Sequence, residues 1–320
     1  MVLIFNMMIQ GLQTVLVVAL APLLVGLVRK VSARLMRRQG APLIQPYRDI
    51  LRLMRKQVVL AENASWLFRT VPYMVFAGTW VAAALVPTFA TGLQFNWTAD
   101  LIAIVALLGS ARFFLALAGM DVGTSFGGIG SSREMMIASL AEPAMMLTVF
   151  SLALIAGSTQ LSTVADFMAS PEVGLRVSLG MALVALVVVA LAENARIPVD
   201  NPATHLELTM VHEAMVLEYS GRHLAMIELA SALKLLLYMS LIGCIFVPWG
   251  IANSATDTGV GPYLLGAGLY LTKLTVGGVV LAVFETSIAK MRVFRVPNFL
   301  GVALMLSLLG TLLLFVSRSL

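Results

Sequence analysis

The sequence contains one cysteine, Cys244, and three histidines in 320 residues. A single thiol cannot form an internal disulfide or ligate an iron–sulfur cluster, and three histidines argue against a haem-rich electron carrier. The sequence has no HExxH motif and no arguable Ser/His/Asp or Cys/His constellation. We therefore predict no catalytic residue and no metal site in this chain; redox cofactors, if involved, are expected in partner subunits.

Charged residues are also scarce, at 12% against 60% hydrophobic residues, and the mean hydropathy is +0.95. This composition excludes an ordinary soluble domain. Apolar runs of about 20 residues cross a hydrocarbon core of about 30 Å as helices. We predict an all-α, polytopic membrane protein, one transmembrane domain over 1–320, whose about eight runs are 4–28, 71–91, 99–120, 134–157, 174–192, 223–249, 262–285 and 298–316. The first run has no leading basic region or small-residue cleavage site, so we expect it to be retained.

The basic residues predict an orientation. Only Arg176 and Arg318 lie on one side of the predicted spans. The other side carries Arg29, Lys30, Arg34, Arg37, Arg38, Arg48, Arg52, Arg55, Lys56, Arg69, Arg133, Arg196, Arg222, Lys290, Arg292 and Arg295. Because basic loops stay in the cytoplasm, we expect a cytoplasmic (inner) membrane protein with both termini on the non-cytoplasmic side. The pI near 9.6 then reflects topology, not nucleic acid binding.

The loop 29–70 combines basic residues with apolar residues at helical spacing. The apolar set is Ile44, Tyr47, Ile50, Leu51 and Met54. One interpretation is an amphipathic helix in the headgroup layer, and the other is a docking surface for a soluble partner. The two are compatible. The predicted docking residues are Arg34, Arg37, Arg38, Arg48, Arg52 and Arg55.

Two further loops are predicted to face the cytoplasm. The glycine-rich stretch 121–133 is expected not to be a regular helix, and it lacks the GxxxxGK[ST] pattern of a phosphate-binding loop. Ser131 and Glu134 fit a capping box that starts the fourth span, which makes Glu134 a helix cap whose change to Gln is expected to be mild.

The acidic loop 194–222 is the third loop predicted to face the cytoplasm. Asn201 and Pro202 predict the start of a helix of about 16 residues that ends near Leu217. This helix is expected to carry Glu207, Glu213 and Glu218. Four neighbouring residues invite a metal-site interpretation, which their spacing does not support: His205, Glu207, His212 and Glu213.

Ionisable residues in or beside a membrane span are costly, and acids there usually mark ion pathways. Six of the sixteen acidic residues lie in one stretch: Glu193, Asp200, Glu207, Glu213, Glu218 and Glu228. We predict that these, with Lys234 and with Glu142 beside Pro143, form a proton or ion pathway. The predicted charge partners inside the membrane are Arg112, Lys273 and Glu285. The alternative is a purely structural network of ion pairs.

Several motifs resemble the family of the quinone-site membrane subunit of respiratory complex I. The stretch 193–200 reads Glu-Asn-Ala-Arg-Ile-Pro-Val-Asp, and 218–221 reads Glu-Tyr-Ser-Gly. The first loop agrees at its Arg-rich 34–38 segment and at Gly40, Pro42, Gln45 and Asp49. Within the family, 112–134 followed by Ala-Glu-Pro at 141–143 resembles the counterpart subunit of membrane-bound group 4 nickel–iron hydrogenases. The loop at 204–213 departs from the formate hydrogenlyase version and is closer to that of the archaeal-type membrane-bound hydrogenase and its bacterial relatives.

This resemblance implies a membrane subunit without a cofactor of its own. Its expected partners are the soluble hydrogenase large and small subunits, antiporter-like membrane subunits and membrane lipid, and those soluble partners would hold the nickel–iron centre and iron–sulfur clusters. Its role would be to link redox chemistry to proton or sodium translocation. The alternatives are the quinone-site subunit of a complex I-type NADH:quinone oxidoreductase, and a stand-alone channel or transporter.

Overall fold

The computed structural model describes residues 2–92, 96–170, 176–196, 199, 211–254, 259–289, 291 and 295–319. In this part of the chain nearly every element is a helix. The helices are α1 (Val2–Leu35), α2 (Gln45–Met54), α3 (Trp66–Leu85), α4 (Leu101–Asp121), α5 (Ser125–Ala156), α6 (Leu161–Ala169), α7 (Val177–Glu193), α8 (His212–Val216), α9 (Gly221–Ile245), α10 (Gly261–Ser287) and α11 (Val296–Ser319). Two short strands, β1 (Ala90–Thr91) and β2 (Ala252–Asn253), pair in parallel.

The long helices run alternately between two ends of the molecule. At the end that carries α2, the Ser65 amide before α3 donates to the Asp121 carboxylate at the end of α4 (2.9 Å). At the opposite end, which carries β1 and β2, the Leu101 amide at the start of α4 donates to the Thr159 carbonyl after α5 (3.0 Å). We call these the α2 end and the β end.

Length and composition make this a multi-pass membrane protein. Six helices among the described residues are long and apolar enough to cross a membrane, namely α1, α4, α5, α9, α10 and α11, and α7 is a shorter apolar helix. The prediction of a polytopic helical membrane protein is confirmed at this level.

Helix α9 lies at the centre of the packing. It contacts α1, α2, α3, α6, α7 and α10. Its Leu233, Leu236, Leu237 and Leu241 are fully buried. A polar residue on α9, such as Lys234, must therefore find its partners inside the protein and not in lipid.

Several predicted span boundaries are wrong: α1 continues to Leu35, beyond the predicted end at residue 28, and α3 begins at Trp66, before the predicted start at residue 71. The second span was predicted to reach residue 91, but α3 ends at Leu85 and Val86 is extended (φ −75°, ψ 121°). Pro87 explains this end, because a residue before proline avoids the helical conformation. The fourth span was predicted to begin at Glu134, whereas α5 begins at Ser125.

The glycines of 121–133 permit close packing, so the prediction that this stretch is not a regular helix is wrong from Ser125 onward. The Thr124 hydroxyl caps α5 by accepting from the Gly127 amide (3.1 Å). A Cβ added to Gly127 would overlap the carbonyl oxygen of Gly119 on α4, and a Cβ on Gly119 would lie 2.6 Å from the Ser131 hydroxyl. The glycines therefore let α4 and α5 approach closely.

Gly127→Ala is expected to destabilise the protein by about 1–3 kcal/mol, because its methyl group would meet backbone and not a flexible side chain. Gly128→Ala is the matched control. A Cβ there meets nothing within 4 Å, and alanine favours the helix by up to about 1 kcal/mol. Thermal unfolding of the two variants in detergent measures the difference, and equal midpoints would contradict close packing at Gly127.

Candidate functional site

A buried arginine joins three helices. Arg112 lies in the middle of α4, and its side chain is 4% exposed. Its Nε is 3.4 Å from Glu134 Oε1 and its Nη1 is 3.6 Å from Glu142 Oε1, both on α5. Its Nη2 pairs with Glu193 Oε2 at the end of α7. Each of the three guanidinium nitrogens thus faces a different carboxylate.

Lys234 on α9 completes the group. Its Nζ lies 3.8 Å from Glu193 Oε2. We call Arg112, Glu134, Glu142, Glu193 and Lys234 the Arg112 cluster. Two cations and three carboxylates leave a net charge of −1 when all are ionised (2 − 3). One added proton would make the cluster neutral. Neutrality matters here because buried charge is costly unless it is compensated.

The turn after α7 places Glu193. The Arg196 amide donates to the Leu191 carbonyl (3.0 Å), and the Ala195 amide donates to the Ala192 carbonyl (3.1 Å). This is a Schellman ending, in which the left-handed position usually holds glycine. Here Ala195 adopts it, with φ 46°. The helix consequently stops at Glu193, inside the bundle, where the carboxylate reaches Arg112.

Glu142 sits where α4 offers no side chain. A Cβ on Gly109 would lie 3.4 Å from Glu142 Oε1, so glycine leaves room for the carboxylate. The Glu142 side chain is 45% exposed, whereas those of Glu134 and Glu193 are 7% and 5% exposed. Glu142 therefore presents the cluster at the outer surface of α5, in the middle of a membrane-spanning helix.

The interpretation of Glu134 as a helix cap is wrong. It lies nine residues inside α5, and its partner is Arg112. Ser131 does not cap the helix either, since its hydroxyl donates to the Ala116 carbonyl on α4 (2.8 Å). A buried arginine needs several counter-charges, and that requirement was the available signal for Glu134.

A cavity lies between the cluster and α8. Its volume is about 30 Å³, and its lining includes Arg112, Glu134, Lys234, Ser231 and His212. A space of this size is large enough for about two water molecules, and apolar side chains such as Leu108, Leu115 and Ile227 line the rest of it. His212 belongs to α8 in the acidic loop, so the cavity extends from that loop to the buried charges.

Polar and aromatic contacts fix the chain between α8 and α9. The Thr124 hydroxyl donates to Glu218 Oε1 (2.5 Å), and the Tyr219 ring stacks on Phe68 with centroids 4.1 Å apart. Burial raises the pKa of the Tyr219 hydroxyl, and the nearby Asp121 charge adds to the rise. The Ser220 hydroxyl accepts from the Val59 amide (2.8 Å). The loop before α9 is thereby tied to α3, to α5 and to the 55–65 segment.

The structure describes only part of the acidic loop 194–222. Glu213 lies in the first turn of α8, but Glu218 lies beyond its end, so the prediction that the helix carries Glu218 is wrong. The predicted helix start falls outside the described residues, as do His205 and two predicted pathway residues, Asp200 and Glu207.

The remaining predicted site residues lie apart from the cluster. Glu228 is within electrostatic range of Arg29 and Asp49, near the α2 end. Glu285 on α10 pairs with Arg196 (3.3 Å). Lys273 donates from Nζ to the Val247 carbonyl after α9 (2.5 Å). No ion pair between described residues joins these groups to Arg112.

This fold and site define a multi-pass helical membrane protein that holds a group of paired ionisable side chains inside its helix bundle. The family model described as NADH dehydrogenase matches residues 7–316, and the chain belongs to that family. The family resemblance inferred from the motifs is confirmed.

Three relatives illustrate the likeness. The chain is 33% identical over 287 residues to formate hydrogenlyase subunit 4 of Escherichia coli (strain K12), covering 90% of this chain and 92% of that protein. It is 35% identical to hydrogenase-4 component C of the same organism, with 75% of each chain covered. It is 28% identical to NADH-quinone oxidoreductase subunit 8 of Rhodothermus marinus, covering 71% of this chain and 68% of that protein.

The fold also matches a solved structure. A chain of the membrane-bound sulfane sulfur reductase, an archaeal respiratory membrane complex, superimposes with a TM-score of 0.78 at 19% sequence identity. The match covers 95% of this chain and 99% of that chain. At this identity the likeness concerns the fold alone.

Proposed function

We propose that the chain is the membrane anchor and coupling subunit of a group 4 nickel–iron hydrogenase, without catalytic residues of its own. The nickel–iron centre and iron–sulfur clusters belong to soluble large and small subunits. The Arg112 cluster carries the proposal, because it is a buried ionisable group with one carboxylate more than it has cations. The two hydrogenase-type relatives, each at least 33% identical, support this branch of the family.

The proposed coupling is electrostatic. In this proposal protons reach Glu134 and Lys234 from the acidic loop through the cavity beside His212, which these two residues line. A change of charge on a reduced cluster in the soluble subunit would alter the proton affinity of the acidic loop, where Glu213 and Glu218 lie, and then of the Arg112 cluster. Lys234 suits a relay because lysine, unlike arginine, can release its proton. Asp200, Glu207 and Glu228 are proposed to extend the route.

Glu142 is the proposed exit from this chain. A half-exposed carboxylate in mid-membrane is unfavourable against lipid, so its face should be covered by protein. An antiporter-like membrane subunit with a polar or titratable group at that depth fits this position. Proton or sodium translocation would then follow in that partner.

We propose eight spans, with α3 and α7 added to the six longest apolar helices, and both termini on the non-cytoplasmic side. The basis is the basic charge of the α2 end. Single cysteines at Asn96 and Ser125, in a chain with Cys244 replaced by serine, test this in whole cells. An impermeant thiol reagent should label Asn96→Cys and not Ser125→Cys. The reverse pattern would show an inverted topology.

Charge reversal at Arg37 and Arg38 together is expected to release the soluble hydrogenase from membranes. A Schellman ending of α1 presents both side chains to solvent, with Arg37 at φ 59°. Reversal places two negative charges where an acidic partner surface would bind. The measurement is hydrogenase activity in washed membranes, and Arg176→Glu is the control at the opposite end. Unchanged membrane-bound activity would contradict docking at this surface.

One purification tests the proposed function as a whole. An affinity-tagged chain, isolated from its native membranes in mild detergent, should carry nickel and hydrogen-evolving activity. Recovery of NADH:quinone reductase activity without nickel would favour the complex I-type alternative. The basis of that alternative is the 28% identity to an NADH-quinone oxidoreductase subunit. Ion flux through the chain alone in liposomes would favour a channel or transporter.

A further inference from the structure

The six predicted docking arginines fall into two groups, on two different helices. Arg34, Arg37 and Arg38 lie at the end of α1, whereas Arg48, Arg52 and Arg55 lie on or next to α2; all six are exposed. The segment before α2 crosses α1 at Gly26, where an added Cβ would overlap the Leu43 carbonyl oxygen. From Gly26 to the end of α1 are nine residues, or about 14 Å of helix.

Helix α2 packs against two spanning helices, α1 and α9. The Tyr47 hydroxyl donates to the Ala19 carbonyl on α1. A Cβ added to Gly221, the first residue of α9, would overlap the Gln57 carbonyl that follows α2. The end of α2, with Arg52 and Arg55, therefore lies at the start of a membrane-spanning helix, which is the level of the lipid headgroups.

The faces of α2 match a membrane surface. Pro46 is buried and Ile50 half-buried against the bundle, while an outer edge exposes Ile44 (56%), Leu51 (59%) and Met54 (44%). At 100° per residue, Arg55, Arg48 and Arg52 follow this edge in that order around the helix. An exposed apolar edge beside an arginine row is the arrangement of helices that insert between lipid headgroups.

We propose that the outer edge of α2 is a binding site for anionic lipid. Leu51 and Met54 enter the acyl region, and Arg48, Arg52 and Arg55 bind headgroup phosphates. Asp49 is the one acidic residue on α2, and it is already engaged by Arg52 (3.4 Å) and by the Gln45 amide (3.0 Å). This rests on the membrane assignment, not on the hydrogenase role, and it leaves Arg34, Arg37 and Arg38 for the soluble partner.

The test compares two triple variants of the full-length chain, each purified through an affinity tag on this chain with whichever subunits remain bound. Arg48→Gln, Arg52→Gln and Arg55→Gln together should weaken retention of phosphatidylglycerol over phosphatidylcholine by about 100-fold, since each basic residue contributes about a factor of five to ten at an anionic surface. Arg34→Gln, Arg37→Gln and Arg38→Gln should release the hydrogenase module and keep the lipid preference. Lipid retained through detergent exchange is quantified by mass spectrometry.

Leu51→Gln separates lipid from other anionic ligands. It should reduce phosphatidylglycerol retention if acyl chains contact the edge, whereas binding of phosphate alone would be unaffected. Wild-type lipid preference in the α2 triple variant overturns the inference. Equal lipid loss in both triple variants also overturns it, because it would mean that any positive charge suffices. Failure of the proposed hydrogenase role would appear separately, as absence of a nickel-containing module from the wild-type preparation.

Discussion

Arg112→Met is expected to prevent stable accumulation of the protein in membranes. The change removes the common partner of Glu134, Glu142 and Glu193 but keeps a long apolar side chain. Two of those carboxylates are almost fully buried, and removing one member of a buried ion pair costs about 3–5 kcal/mol. That amount is a large part of the stability of a typical domain.

The measurement is the amount of protein in membranes and its thermal midpoint after extraction. Arg69→Met is the matched control, because Arg69 is an exposed arginine of α3. Arg112→Lys should give an intermediate loss, since one ammonium cannot face three carboxylates as the guanidinium does. Wild-type levels for Arg112→Met would show that the three carboxylates do not depend on Arg112.

Glu193→Gln is expected to separate hydrogen turnover from ion transport. Gln keeps the shape of the side chain and its hydrogen-bonding capacity, so the complex should assemble. The cluster would then hold two cations and two carboxylates, a net charge of zero (2 − 2), and would no longer need a proton for neutrality. Losing a positioned proton-transfer group should lower ion uptake per hydrogen about 100-fold or more.

Ion uptake and hydrogen turnover in inverted vesicles give the ratio. Glu62→Gln is the control, because Glu62 is an exposed acid in the first loop. Glu142→Gln and Glu134→Gln should resemble Glu193→Gln, and for Glu134 this replaces the mild effect expected of a helix cap. Wild-type ratios and rates in all three variants would mean that the carboxylates are structural ion-pair partners only.

Hydropathy was enough to predict a polytopic helical membrane protein. The apolar runs at 99–120 and 262–285 come within two residues of α4 and α10 at each end. The predicted span boundaries were wrong where a local sequence feature, and not hydropathy, sets the end of the helix. Pro87 stops α3 early, and α5 extends through glycines because Gly119 and Gly127 lie against one another. Contacts between helices of that kind cannot be read from one segment alone.

Most charged residues of the site could be predicted one by one, but the sequence did not show which of them lie together. Arg112, Glu142 and Glu193 were named from the sequence as charges that need a reason, and the structure brings these three together. Glu134 was missed because Ser131 three residues earlier imitates a capping box. The turn that positions Glu193 uses Ala195 in a conformation that favours glycine, so its sequence carries no such signal.

The most direct measurement is an infrared difference spectrum of the intact complex, hydrogen-reduced minus oxidised, in the region of protonated carboxyl groups. If the Arg112 cluster takes up and releases a proton with turnover, the wild type will show a carboxyl band. That band will disappear or shift in at least one of Glu134→Gln, Glu142→Gln and Glu193→Gln, and it will persist in Glu62→Gln. A spectrum that is the same in the wild type and in all three cluster variants would contradict the account.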